Sequence, residues 1–64
     1  MNTSKEYLEL ALHYEHAAET VQDQLSRRQL RALADSYSVL ARSTAVLERS
    51  TKAFTDIFGE GEPN

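Results

Sequence analysis

The chain contains no cysteine and no tryptophan, two glycines and a single proline. Without cysteine there is no disulfide, no thiolate metal site and no cysteine nucleophile. Gly59, Gly61 and Pro63 all lie in the last six residues, so from Thr3 to Phe58 no strong breaker interrupts a helix. No run of 18 apolar residues is present, which argues against a membrane-spanning helix. The opening Met1-Asn2-Thr3-Ser4-Lys5-Glu6 lacks the basic-then-apolar form of a secretion signal, and the expected location is the cytoplasm. Basic charge is also short: seven Lys and Arg face ten Asp and Glu, a net charge of −3. That balance argues against a globally basic nucleic-acid binder. With 64 residues, 41% hydrophobic and 27% charged, the chain suits one small soluble folded unit.

What is present is helical periodicity. Thr3 followed by Glu6 reads as a capping box that starts a helix. Tyr7, Leu10, Ala11, Tyr14, Ala17, Ala18 and Val21 then fall within about 60° of Tyr14 on a helical wheel. The pattern loosens at Gln22-Asp23-Gln24-Leu25-Ser26, where Asp23 offers one cap and Ser26 with Gln29 a second capping box. A turn between residues 22 and 26 follows, with one unbroken helix as the rival reading. From Leu30 the apolar steps alternate three and four through Leu33, Tyr37, Leu40, Thr44, Leu47, Thr51, Phe54 and Phe58, the spacing of coiled-coil or bundle packing. The expected fold is an all-α antiparallel hairpin, with helices over about 3–22 and 26–58. Gly59 is the natural stop, and residues 59–64 form a flexible acidic tail after a 1–58 hairpin domain.

The two helices share a pattern. Leu10-Ala11-x-x-Tyr14-x-x-x-Ala18 recurs as Leu33-Ala34-x-x-Tyr37-x-x-x-Ala41. Both helices solve one packing problem, in which an Ala lets a Tyr ring lie across the seam; duplication is the alternative. Folding about residues 23–24 pairs Ala18 with Leu30, Tyr14 with Leu33, Ala11 with Tyr37 and Tyr7 with Leu40. Thr3 and Ser4 then reach only to about Thr44. Roughly fourteen residues of helix two, about 21 Å, overhang with Leu47, Thr51, Phe54, Ile57 and Phe58 uncovered. Val39, Val46 and Ile57 line the far side of helix two, and Leu8 and Leu12 lie more than about 100° from Tyr14. Two helices seldom bury enough to stand alone. The expected solution is a homo-oligomer, most simply a dimer forming a four-helix bundle. Its expected interface is Leu8, Leu12, Val39, Val46, Leu47, Phe54, Ile57 and Phe58.

Charge is sorted as well. Residues 1–24 carry Lys5 against Glu6, Glu9, Glu15, Glu19 and Asp23, whereas residues 25–53 carry six Lys and Arg against Asp35 and Glu48. An acidic helix beside a basic one favours antiparallel or intersubunit pairing. Within helix two, Arg27, Arg31, Arg42 and Arg49 share one flank that could follow a phosphate backbone. A small nucleic-acid-associated regulator is therefore the alternative reading, against a solvated or salt-bridged flank. His13 and His16, with Glu9, have spacings that place two imidazoles and a carboxylate near one metal. The ordinary reading is a solvated polar flank, and no Glu precedes either His by three as in di-iron bundles. Seven Ser and Thr crowd Ser36 to Thr55, but no Gly-x-Ser-x-Gly elbow and no nearby His make a nucleophile of any. The three tyrosines read as core residues with a wet hydroxyl, and no glycine-rich phosphate loop occurs. No cofactor and no enzymatic activity are expected. The expected role is protein–protein interaction or scaffolding, with the chain itself as partner and an unidentified second protein as the other.

Tyr14, Asp23, Arg27 and the run Leu33-Ala34-Asp35-Ser36-Tyr37 also carry a resemblance. From Tyr7 to Arg49 the chain resembles small bacterial helical-hairpin proteins of unknown function. Such proteins usually place Pro after the turn Asp, where this chain has Gln24. The resemblance implies the hairpin fold and brings no activity with it.

Overall fold

The computed structural model describes residues 2–59, and these are arranged as α1 (Ser4–Thr20), α2 (Gln24–Phe54) and one closing π-helical turn, Thr55–Gly59. The two α-helices pack against each other as a hairpin 59 Å long and 14 by 13 Å across. Gly59, the first residue of the expected 59–64 tail, belongs to the closing π turn, and the rest of that tail lies outside the described residues.

The Thr3 capping box forms as its sequence predicts. Thr3 Oγ1 accepts from the Glu6 amide at 3.2 Å, and the Thr3 amide donates to Glu6 Oε1 at 2.8 Å. Two otherwise orphaned donors at the start of α1 are thereby satisfied. At the turn, Asp23 is the N-cap of α2. One of its carboxylate oxygens accepts from both the amide and the hydroxyl of Ser26, each at 2.8 Å. Ser26 is thus the residue being capped rather than a second capping centre, and α2 begins at Gln24, two residues before the expected start. These two bonds hold the Asp23 carboxyl below the usual carboxylate range, the backbone amide contributing most.

The register differs from the expected one. Ser4 bonds Glu48, so α1 reaches one helical turn further along α2 than Thr44. The cause lies in the turn. Val21 and Asp23 are extended. An extended residue advances about 3.3 Å where a helical one advances about 1.5 Å. The linker therefore climbs beyond the end of α1, and the first two turns of α2 rise beside it. Arg27 secures the climb by donating from Nη2 to the Val21 carbonyl at 2.8 Å. That carbonyl lies at the C-terminal end of α1, where unpaired acceptors and the negative end of the helix dipole favour a cation.

From Ser4 opposite Glu48, seven-residue steps along α1 and α2 set Ala11 against Ala41 and Ala18 against Ala34. These four alanines are the buried core, Ala18 having no exposed surface and Ala11 only 2%. The seam belongs to alanine because a methyl group lets two backbones approach closely. The pairing of Ala18 with Leu30 and Ala11 with Tyr37 is corrected accordingly. Tyr37 instead lies between Tyr14 and Tyr7. Its ring is stacked on Tyr14 at a centroid distance of 5.6 Å and 6° between planes, and on Tyr7 at 6.1 Å and 27°. Such contacts contribute about 0.5–1.5 kcal/mol each beyond the area they bury.

The far end of α2 also departs from expectation. Regular α-helix ends at Phe54, four residues early, and one π turn carries the chain to Gly59. A Cβ at Gly59 would lie 3.1 Å from the Thr55 side-chain methyl, a close contact that Thr55 would have to yield to by a few tenths of an ångström. Phe54 and Phe58 meet across this turn with centroids 4.6 Å apart. About eleven residues, Arg49 to Gly59, project past the start of α1, rather than fourteen.

Candidate interaction surface

The stripe that reads in the sequence as the core of the hairpin is only half covered by it. At 100° per residue, one side of the alanine seam carries Tyr7, Leu10, Tyr14 and Ala17 from α1. Beside them, α2 contributes Leu30, Leu33, Tyr37, Leu40, Thr44, Leu47 and Thr51, then Phe54 and Phe58. The α1 residues, with Leu30 and Tyr37, are half-buried. Leu33 and Leu40 remain 42% exposed, and Phe54 and Phe58 are 63% and 60% exposed. None of these positions carries a charge. The stripe runs from the turn to the last turn of the chain. A lone apolar side chain on a surface is ordinary, whereas a continuous uncharged stripe marks a surface built to be covered.

The opposite side of the seam has another character. Ser4, Lys5 and Leu8 of α1 and Ser38, Ala41, Arg42 and Ala45 of α2 line one shallow groove there. Nearer the turn, Glu15 and Glu19 share a groove with Arg31 and Asp35. Among the described residues no ion pair within 4 Å links α1 to α2; the one pair formed is Lys52 of α2 with Asp56 of the closing π turn, at 3.5 Å. The sorted charges therefore form no close contact with one another that would lock the two helices together.

The expected interface residues divide between these surfaces. Leu47, Phe54 and Phe58 lie on the uncharged stripe. Leu47 is not beyond the reach of α1, since it lines a groove with Asn2 and Thr3. Leu8 and Leu12 flank the charged side, and Val39, Val46 and Ile57 lie on the outer face of α2; all five are exposed. Sequence reasoning missed Leu33 and Leu40 as surface residues by assigning them to the hairpin core. The available signal was the seven-residue recurrence of alanine, Ala11 to Ala18 and Ala34 to Ala41, which identifies the seam and displaces the leucines to its side.

The remaining candidates are placed as follows. Arg27 is engaged with the turn, and its Nε is buried without a partner. Arg31 shares its groove with three carboxylates, while Arg42 and Arg49 stand exposed. Glu9, His13 and His16 are exposed on the outer face of α1, with the His13 ring edge-on to Tyr14 at 5.3 Å. The described residues contain no group of three metal-ligating side chains. Nor do they contain a helix long and apolar enough to cross a membrane.

Glu48 holds the open end of the hairpin. Its carboxylate accepts from the Ser4 hydroxyl at 2.6 Å and the Ser4 amide at 2.9 Å. Ser4 is the first residue of α1, so a side chain of α2 satisfies an orphaned donor of α1 and places negative charge at the positive end of its dipole. The Ser4 hydroxyl, then its amide, hold the Glu48 carboxyl below its ordinary value.

The chain matches no known protein family, and neither the curated proteins nor the solved structures contain a significant match.

Proposed function

We propose that this protein is a non-enzymatic interaction module that acts as a homodimer, two hairpins meeting through their uncharged stripes to make a four-helix bundle. The observation that carries the reading is the stripe itself: Leu33, Leu40, Leu47, Phe54 and Phe58 lie exposed on one side of a hairpin whose fully buried residues are all alanine. An alanine seam holds two helices close but removes little apolar surface from water. Complete burial of such a side chain contributes about 1.5–3 kcal/mol; these five, 42–64% exposed, contribute about half of that each, and the ten that a symmetric dimer covers can offset an association cost of about 4–15 kcal/mol. The resemblance to helical-hairpin proteins agrees with the fold and adds no activity.

The reading is tested by thermal unfolding at several protein concentrations. A dimer whose folding is coupled to association melts at higher temperature as concentration rises. A melting temperature independent of concentration from micromolar to hundreds of micromolar, in a protein of monomer mass, would refute it.

A further inference from the structure

Leu30, Leu33, Tyr37, Leu40, Thr44, Leu47, Thr51, Phe54 and Phe58 follow alternating steps of three and four, the spacing of a helix that packs along its length against another helix. We infer that the two copies lie antiparallel, α2 against α2 of the second copy, with residue 42 level with the two-fold axis. This arrangement rests on the homodimer reading and adds its orientation and register.

In that register Leu40 meets Thr44 of the second copy, Leu33 meets Thr51, Ser26 meets Phe58, Leu30 meets Phe54 and Tyr37 meets Leu47. Three of the five layers set a large side chain against a hydroxyl residue, and none sets two phenylalanines together. Interdigitation of large with small is how helical cores reach close packing. A parallel α2 pair in register would instead place Phe54 on Phe54, Thr44 on Thr44 and Thr51 on Thr51. The alternating three–four spacing keeps the seam aligned over its length through a gentle left-handed supercoil.

The hairpin has two incomplete ends, and this arrangement completes each with the other. At one end α2 runs past α1 with Phe54 and Phe58 exposed. At the other, the first two turns of α2 rise beyond the end of α1 beside the extended linker. Antiparallel copies lay the overhang of one across the turn end of the other, over Leu30 and Ser26. The register of α1 follows with no further choice. Because Ser4 lies level with Glu48, the same two-fold brings Leu10 against Leu10 of the second copy and Thr3 against Ala17. Every neighbouring helix pair in the resulting bundle is antiparallel. If the two-fold ran along the hairpin instead, α2 would lie over α1 of the second copy and both overhangs would project uncovered from the same end.

Spin labels distinguish these outcomes, and the lack of cysteine makes single-site labelling clean. Gln29 and Ser43 are exposed positions on α2. Gln29→Cys and Ser43→Cys are each labelled, and the distance between labels in the homodimer is measured by pulsed electron paramagnetic resonance. The antiparallel arrangement separates the two Gln29 positions by about 39 Å along the bundle and leaves the Ser43 positions within about 3 Å of each other along it. Short distances at both sites, in a protein of dimer mass, would overturn the antiparallel arrangement while leaving the homodimer standing. No dipolar signal at either site, in a protein of monomer mass, would overturn both.

Discussion

The Ser4 hydroxyl and amide both donate to the Glu48 carboxylate, at 2.6 and 2.9 Å, and so join the first residue of α1 to a residue six before the end of α2. Forty-four positions apart in sequence, the two residues fix the antiparallel register of the hairpin at its open end. At the closed end Asp23 and Arg27 do the same by capping the start of α2 and the end of α1. Between these polar clasps lies a seam of alanine.

Both carboxylates in the clasps make stability depend on pH. Asp23 and Glu48 are held below their ordinary values in the folded chain. A group whose folded pKa is lowered contributes stability that is present above its unfolded pKa, about 4, and lost as pH falls through the lowered folded value. The melting temperature is therefore expected to fall on acidification below about pH 4. In the Asp23→Asn, Glu48→Gln double variant that fall should be shallower. A variant whose melting temperature tracks the wild type across the acid range would show that the clasps do not carry this dependence.

The alanine seam should tolerate nothing larger. Ala18 has no exposed surface and Ala34 only 6%. Ala18→Leu forces the backbones apart and is expected to lose about 1–3 kcal/mol of stability in denaturant unfolding. His16→Leu, on the outer face of the same helix, should lie within about 0.5 kcal/mol of the wild type. Equal effects from the two substitutions would contradict the assignment of the seam.

How far the fold was legible follows from these residues. Thr3 with Glu6, and Asp23 before a helical run, are local signals, and local hydrogen bonds satisfy them as the sequence predicts. The hairpin and its antiparallel sense were legible for the same reason. The register was not, because it depends on the extended backbone of Val21 and Asp23, and no residue type there demands extension. The candidate surface was half legible. Periodicity marks Leu33, Leu40 and Leu47 as one stripe but does not say which helix covers it. Only the position of the seam decides that, and the seam rests on the seven-residue alanine spacing rather than on the larger apolar residues.

The arginines should separate into two kinds. Arg27 supplies the donor that satisfies the Val21 carbonyl. Arg27→Ala is expected to lower stability by about 1 kcal/mol. Arg31→Glu with Arg42→Glu should leave helicity and oligomeric state nearly unchanged, since neither arginine lies on the uncharged stripe. Circular dichroism melts and light scattering on the two variants check this. Submicromolar, salt-dependent binding of duplex DNA by the wild type, abolished in the Arg31, Arg42 variant, would make that flank a nucleic-acid surface and reverse the ranking of functions.

The stripe should matter more to association than the other exposed apolar residues. Leu40→Ala with Phe54→Ala truncates four side chains per dimer, each of which is 42% or 63% exposed and would contribute about half of the roughly 1.5–3 kcal/mol of complete burial. The dimer dissociation constant is expected to rise at least a hundredfold. Leu12→Ala with Val39→Ala, which truncates as many exposed apolar groups elsewhere, should raise it less than tenfold.

The most direct measurement is the mass of the wild-type chain by sedimentation equilibrium at tens of micromolar, beside that of a Leu33→Glu, Leu40→Glu variant. The account predicts twice the 7.2 kDa chain mass for the wild type and the mass of a single chain for the variant, whose charges fall in the middle of the stripe. A wild type that sediments as a single chain, or a variant that remains a dimer, would contradict it.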